Sequence, residues 1–274
     1  MIHLVNEHQL TITWSEPAPR CSALIYNPYR RQEAWRYFSY ALVHSGAGHI
    51  VINVVMQLIV GLPLEMSHGS LRIGNVYVAG VVSGSLATAC LDPQMYLAGA
   101  SGGVYALIAA HLATLILNWK EDAVLMRQRV REYKITKAAP GTVIRLMRLI
   151  FVLVFAAADI GNAVVVRLQS NAATSTVGYT AHLAGAVAGL LVGLAALRNR
   201  RKERWETVVR VVSLASWLIL VGLSIGWNIE GDTLYSHKHN STGDVITTTT
   251  YFLTPDYSQL WDCDFLGRNL GDSK

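Results

Sequence analysis

Apolar residues along the chain gather into six stretches, at 49–66, 73–90, 97–118, 147–166, 178–197 and 207–228, with polar segments between them. Each is close to the ~20 residues that carry a helix across a bilayer. Backbone in hydrocarbon must satisfy its own hydrogen bonds, so the stretches predict helices. The expected fold is all-α, a polytopic membrane helix bundle of about six transmembrane helices.

Composition agrees with this pattern. Of 274 residues, 52% are hydrophobic and 15% charged, and mean hydropathy is positive, which is too apolar for an ordinary soluble domain. The net charge of +5 raises the question of nucleic acid. The basic residues, however, lie beside the apolar stretches, in "NWKEDAVLMRQRVREYKITK" and "RNRRKERW". They are topology signals, so the expected partner is the lipid bilayer, with no nucleic acid. Parity puts 67–72, 119–146 and 198–206 on one side, the cytoplasmic one, while 91–96 and 167–177 hold only Arg167 as a Lys or Arg. Residues 1–48 and 229–274 are then expected to face the lumen or exterior. Cys21, Cys90 and Cys263 make neither a disulfide framework nor a metal-ligand spacing, though Cys21 and Cys263 are free to pair outside the cytoplasm. Asn240-Ser241-Thr242 fits an N-glycosylation acceptor on that same side. The beginning of the chain has neither the basic nor the apolar region of a cleavable signal peptide. There is no cofactor signature.

Polar side chains inside a membrane are costly and so become functional candidates. The stretches contain His49, Asn53, Gln57, Ser83, Ser85, Ser101, His111, Asp159, Asn162 and His182. At about 1.5 Å of rise per residue, Ser101 is expected about one turn inside the outer end of its span. His182 falls at nearly the same level, and His49 and Asn53 share that layer. His111 lies about ten residues further in. An isolated serine or histidine in a membrane helix is usually a packing residue or an interhelical bridge. Convergence of several on one level implies a wet cavity instead, since each would otherwise meet its desolvation cost alone.

Serine needs a base within hydrogen-bond reach to act as a nucleophile, and Ser101 with His182 supplies that pair. His49 and Asn53, at i and i+4, share one helical face. With the Ser101 backbone N–H they form a candidate oxyanion hole. Gly99, Gly102 and Gly103 permit close approach of another helix, and Gly185, Gly189 and Gly193, spaced by four after His182, form the matching small-residue surface. Tyr105, one turn beyond Ser101, is placed to stack on the His182 ring. Residues 99–103 also fit the G-x-S-x-G elbow of soluble hydrolases, but that motif needs an alternating α/β chain, which is not present here. Asp159 falls well below Ser101 and reads as a helix-packing residue.

"EAWRYFSYALVHSGAGHI", "HIVIN", "GASGG" and "HLAG", in this order, resemble the rhomboid family of intramembrane serine proteases over roughly residues 20 to 228. The resemblance implies a Ser–His dyad with no acidic third member: Ser101 as nucleophile and His182 as base, then acid. It implies that His49, Asn53 and the Ser101 amide bind the oxyanion, that Tyr105 stacks on the histidine, and that Trp35 and Arg36 belong to a loop half-inserted in the outer leaflet. It further implies single-span transmembrane protein substrates, cleaved in or near the membrane and often released as ectodomains. The targets implied for this branch, the animal secretory-pathway one, are growth-factor precursors, and the location is the secretory pathway or plasma membrane. Residues 49–197 then read as the catalytic core, 1–48 as a lumenal segment with the interfacial loop, 198–228 as a basic loop with an extra C-terminal helix, and 229–274 as a lumenal tail. The family core opens with a membrane helix ahead of the Trp-Arg loop, which residues 1–30 do not supply, so the chain reads either as an incomplete version of a seven-helix protein, the favoured reading, or as one without that helix. The missing helix makes a catalytically impaired protein that binds transmembrane clients the alternative function. Two other classes compete. A transporter would show discontinuous helices or inverted repeats, which are not evident. A non-catalytic relative that binds transmembrane clients would typically lack the serine or the histidine.

Overall fold

The computed structural model describes residues 14, 18–19, 22–133, 149–150, 153–158, 161, 165, 178–198 and 204–241, with side chains except at 119–133 and 231–241. A short helix α1 (Arg36–Ser39) and a 3-10 turn (Tyr40–Leu42) precede four long helices, α2 (Gly46–His68), α3 (Ser70–Leu91), α4 (Ser101–Tyr133) and α5 (Tyr179–Ala196), and a fifth, α6 (Arg204–Ser241). Among the described residues, the five from α2 to α6 contain segments long and apolar enough to cross a membrane. Half of the sixth expected span, 147–166, lies outside the described residues, as do Asp159, Asn162, Cys21 and Cys263. Asn240 falls on the last turn of α6.

One boundary differs in a way that bears on function. The span expected at 97–118 does not become helical until Ser101. The apolar residues before it are drawn into an extended pairing, with Leu97 and Tyr26 exchanging backbone hydrogen bonds of 3.1 and 3.2 Å. Gly99, at φ +114°, then turns the chain into α4. An L side chain rarely adopts that conformation, so the turn requires glycine. Ser101 is therefore the first residue of α4 and not one turn inside it.

The core is built on close backbone approach. Ala106, Ala110 and Ala113 of α4 are fully buried. A Cβ at Gly185 of α5 would fall 2.2 Å from the Gly102 carbonyl oxygen, and one at Gly189 would fall 2.2 Å from that of Ala106. On α3, a Cβ at Gly80 would meet the Ala106 methyl at 2.3 Å. Lipid tails are as apolar as leucine, so such contacts hold membrane helices together through van der Waals packing. Helix α2 joins this trio through Met56, Val60 and Leu64, while its opposite face, with Val51, Val55, Leu58 and Leu62, is exposed. Helix α6 is mostly exposed and is pinned by polar contacts to α3: Trp217 Nε1 donates to Ser83 Oγ at 3.0 Å, and Asn228 Nδ2 to Cys90 Sγ at 3.4 Å.

Candidate active site

Ser101 and His182 come from the first turns of α4 and α5, ends that antiparallel neighbours would not share. Helices α4 and α5 run in the same direction, since Gly185, Gly189 and Gly193 of α5 meet Gly102, Ala106 and Ala110 of α4 in turn. Gly185 seats its helix on the Gly102 carbonyl, one turn beyond His182, and so brings the two side chains together. Ser101 Oγ and His182 Nε2 lie 2.8 Å apart. The Tyr105 ring stacks on His182 with centroids 4.5 Å apart and planes 14° from parallel, fixing the imidazole edge toward the serine.

His49 abuts the turn into α4. A Cβ at Gly99 would fall 2.6 Å from His49 Cε1 and 2.9 Å from Nε2. The Ser45 backbone N–H donates to His49 Nδ1 at 3.3 Å. A neutral ring that accepts at Nδ1 carries its proton on Nε2, so a donor lies beside the turn into α4. The His44 ring stands edge-on to His49, with centroids 5.2 Å apart. Burial first, and then the His49 ring, push His44 down to about 4, which keeps it uncharged near neutral pH. Asn53 is buried, but its Nδ2 donates to the His49 carbonyl one turn back at 2.9 Å. As a second oxyanion donor, Asn53 would have to exchange that helix bond for the substrate. Ser101, at the head of α4, adds backbone N–H groups that a helix leaves without intrahelical partners, and a dipole end that favours negative charge.

The other expected glycines have packing roles. A Cβ at Gly102 would fall 3.1 Å from the Tyr40 hydroxyl, and one at Gly103 would strike the Tyr77 ring at 2.4 Å. His111 stands apart, its Nε2 on the Val60 carbonyl at 2.9 Å.

Sequence reasoning missed the supports of the turn that leads into Ser101. The Tyr40 carbonyl accepts the Gly99 N–H at 3.1 Å, and its fully buried hydroxyl donates to the Val81 carbonyl at 2.8 Å. Arg36, read as part of an interfacial loop, turns inward. Its Nη1 donates to the Ser22 and Ile25 carbonyls at 3.0 and 2.8 Å, and its Nε to Glu33 at 2.5 Å. This organises the segment that pairs with Leu97, whereas Trp35, Phe38 and Leu42 stay exposed. Alternating tyrosines and serines in "RYFSYAL" carry no periodic signal that separates the buried from the exposed positions.

A rhomboid domain model matches residues 31–199, a range that contains His49, Asn53, Ser101, Tyr105 and His182. Over 236 residues the chain is 34% identical to Rhomboid-related protein 3 of Homo sapiens, covering 85% of this chain and 54% of that protein. It is 41% identical over 208 residues to Rhomboid-related protein 2 of Mus musculus, covering 76% and 63%. It is also 36% identical over 200 residues to Inactive rhomboid-related protein 2 of Caenorhabditis elegans, covering 73% and 51%. The chain thus spans between half and two-thirds of the length of these relatives. With most of its described helices inside the matched range, the chain belongs to the rhomboid family.

Proposed function

We propose that this chain is an intramembrane serine protease that hydrolyses peptide bonds in or near the transmembrane segment of single-span proteins and releases ectodomains such as those of growth-factor precursors. The observation that carries this reading is the 2.8 Å contact between Ser101 Oγ and His182 Nε2 in a bundle of membrane-length helices. As Ser101 Oγ bonds to the scissile carbonyl carbon, His182 Nε2 takes the hydroxyl proton. The carbonyl oxygen becomes an oxyanion met by His49 Nε2–H, the amides at the head of α4, and Asn53 once it is released from its own helix. Collapse breaks the C–N bond, and the imidazolium returns its proton to the leaving amine. Water, deprotonated by His182, then cleaves the acyl-enzyme and regenerates Ser101. No acidic third member is needed if Tyr105 holds the imidazole by stacking.

A second reading, a rhomboid-like protein that binds transmembrane clients without cutting them, draws on the relative named as inactive. Reconstitution with single-span precursors separates the two. Cleavage is expected from the native chain and is expected to vanish in Ser101→Ala and in His182→Ala. Binding without cleavage in all three proteins would favour the second reading, and full cleavage by either variant would refute the dyad.

A further inference from the structure

The end of the bundle opposite Ser101 holds a histidine that the proposed chemistry does not use. His68, the last residue of α2, is only 4% exposed. Its Nδ1 accepts the backbone N–H of Arg198, just beyond α5, at 3.1 Å. Its Nε2 lies 3.3 Å from Thr114 Oγ1 in the middle of α4. Thr114 Oγ1 in turn donates to the Ala110 carbonyl at 3.0 Å, so its remaining role toward His68 is as an acceptor. Both contacts fit one neutral tautomer, unprotonated at Nδ1 and protonated at Nε2. One side chain therefore ties α2, which carries His49 and Asn53, to α4 and to the far end of α5, which carries His182.

An imidazolium cannot occupy this position unchanged. It has N–H on both nitrogens, so Nδ1–H would point at the Arg198 N–H, donor against donor. The charged and titratable groups facing it add to the conflict: Arg72 from α3, His111 from α4 and Arg198 after α5. Arg72 Nη1 already donates to the His68 carbonyl at 3.2 Å. From α6, Arg210 Nη2 reaches the Leu197 carbonyl at 3.4 Å, and the buried Glu206 sits in the first turn. We infer that His68 is a positioning residue that locks the inner ends of α2 and α5 together, leaving their outer, site-bearing ends to adjust, and that the lock holds only while its ring is neutral. The lock stands on geometry alone. Its consequence for cleavage rests on the proposed function.

The test compares the native chain with His68→Ala and His68→Gln between pH 5.5 and 8, reading melting temperature and cleavage of a reconstituted single-span protein. Glutamine offers an acceptor and a donor but never a charge. At pH 8 the native chain is expected to melt about 3 °C or more above His68→Ala. That advantage is expected to disappear as pH falls below about 6.5, the ordinary imidazole range. His68→Gln should recover the advantage at pH 8 and keep it in acid, with cleavage following the same order. An advantage over alanine that is absent or constant across pH, or a glutamine variant no better than alanine at pH 8, overturns the inference. If no protein cleaves at any pH, the proposed function fails while the melting curves still decide on the lock.

Discussion

At the scale of single residues, the arrangement assigns different work to the two histidines near Ser101. His182 shares its Nε2 with the serine, whereas His49 is held in the tautomer that points a donor at the turn into α4. Replacing His49 with alanine is expected to lower kcat by about 10²- to 10³-fold, the usual cost of losing one oxyanion donor, while leaving KM within a few-fold. A change confined to KM would contradict the role. The contact between Ser101 and His182 was readable in the sequence because both are polar groups at matching depth in otherwise apolar stretches. Tyr40 was not, because its contribution is a backbone carbonyl to Gly99 and a hydroxyl to Val81, contacts that leave no pattern in the chain. His68 also escaped, since "MSHGSLR" reads as a polar loop and only the folded chain brings Arg198 and Thr114 to it.

At the scale of elements, glycine spacing decides which helices meet. The four-residue spacing on α5 was legible, and it does face α4. Gly80 and Gly84 on α3 have the same spacing and were overlooked, although Gly80 packs as closely against Ala106. Gly185→Ala would drive a methyl to 2.2 Å from the Gly102 carbonyl. It is expected to cost about 1–3 kcal/mol, the range for overpacking, and to reduce cleavage by separating the dyad. Gly222→Ala on α6, where nothing lies within 4 Å of the added carbon, serves as the control and is expected to leave both unchanged. Equal melting temperatures for the two variants would contradict the packing argument. Helix α4 starts about one turn later than its apolar pattern predicts because Leu97 is apolar for a different reason: it pairs with Tyr26 and is buried in the same cluster.

At the scale of the whole molecule, the end that holds Ser101 and His182 and the end that holds His68 lie at opposite faces, and the charge pattern predicts that they face opposite sides of the membrane. Gln94→Cys, in the exposed turn between α3 and α4, is expected to react with an impermeant thiol reagent on intact cells. Arg198→Cys is expected to react only after permeabilisation, with Cys21, Cys90 and Cys263 replaced by serine in both variants. The reverse pattern would overturn the orientation. The bundle as a whole was legible because hydrocarbon admits few solutions for an apolar chain. The loop that braces the site was less so, since its order comes from Arg36 and Tyr40 reaching distant carbonyls rather than from periodicity.

The central claim is that His182 activates Ser101 as a nucleophile, and covalent labelling tests it most directly. A fluorophosphonate probe, applied to the purified chain and followed by peptide mapping, is expected to modify Ser101 and to fail in His182→Ala. Labelling of another residue, or undiminished labelling of Ser101 without His182, would contradict it.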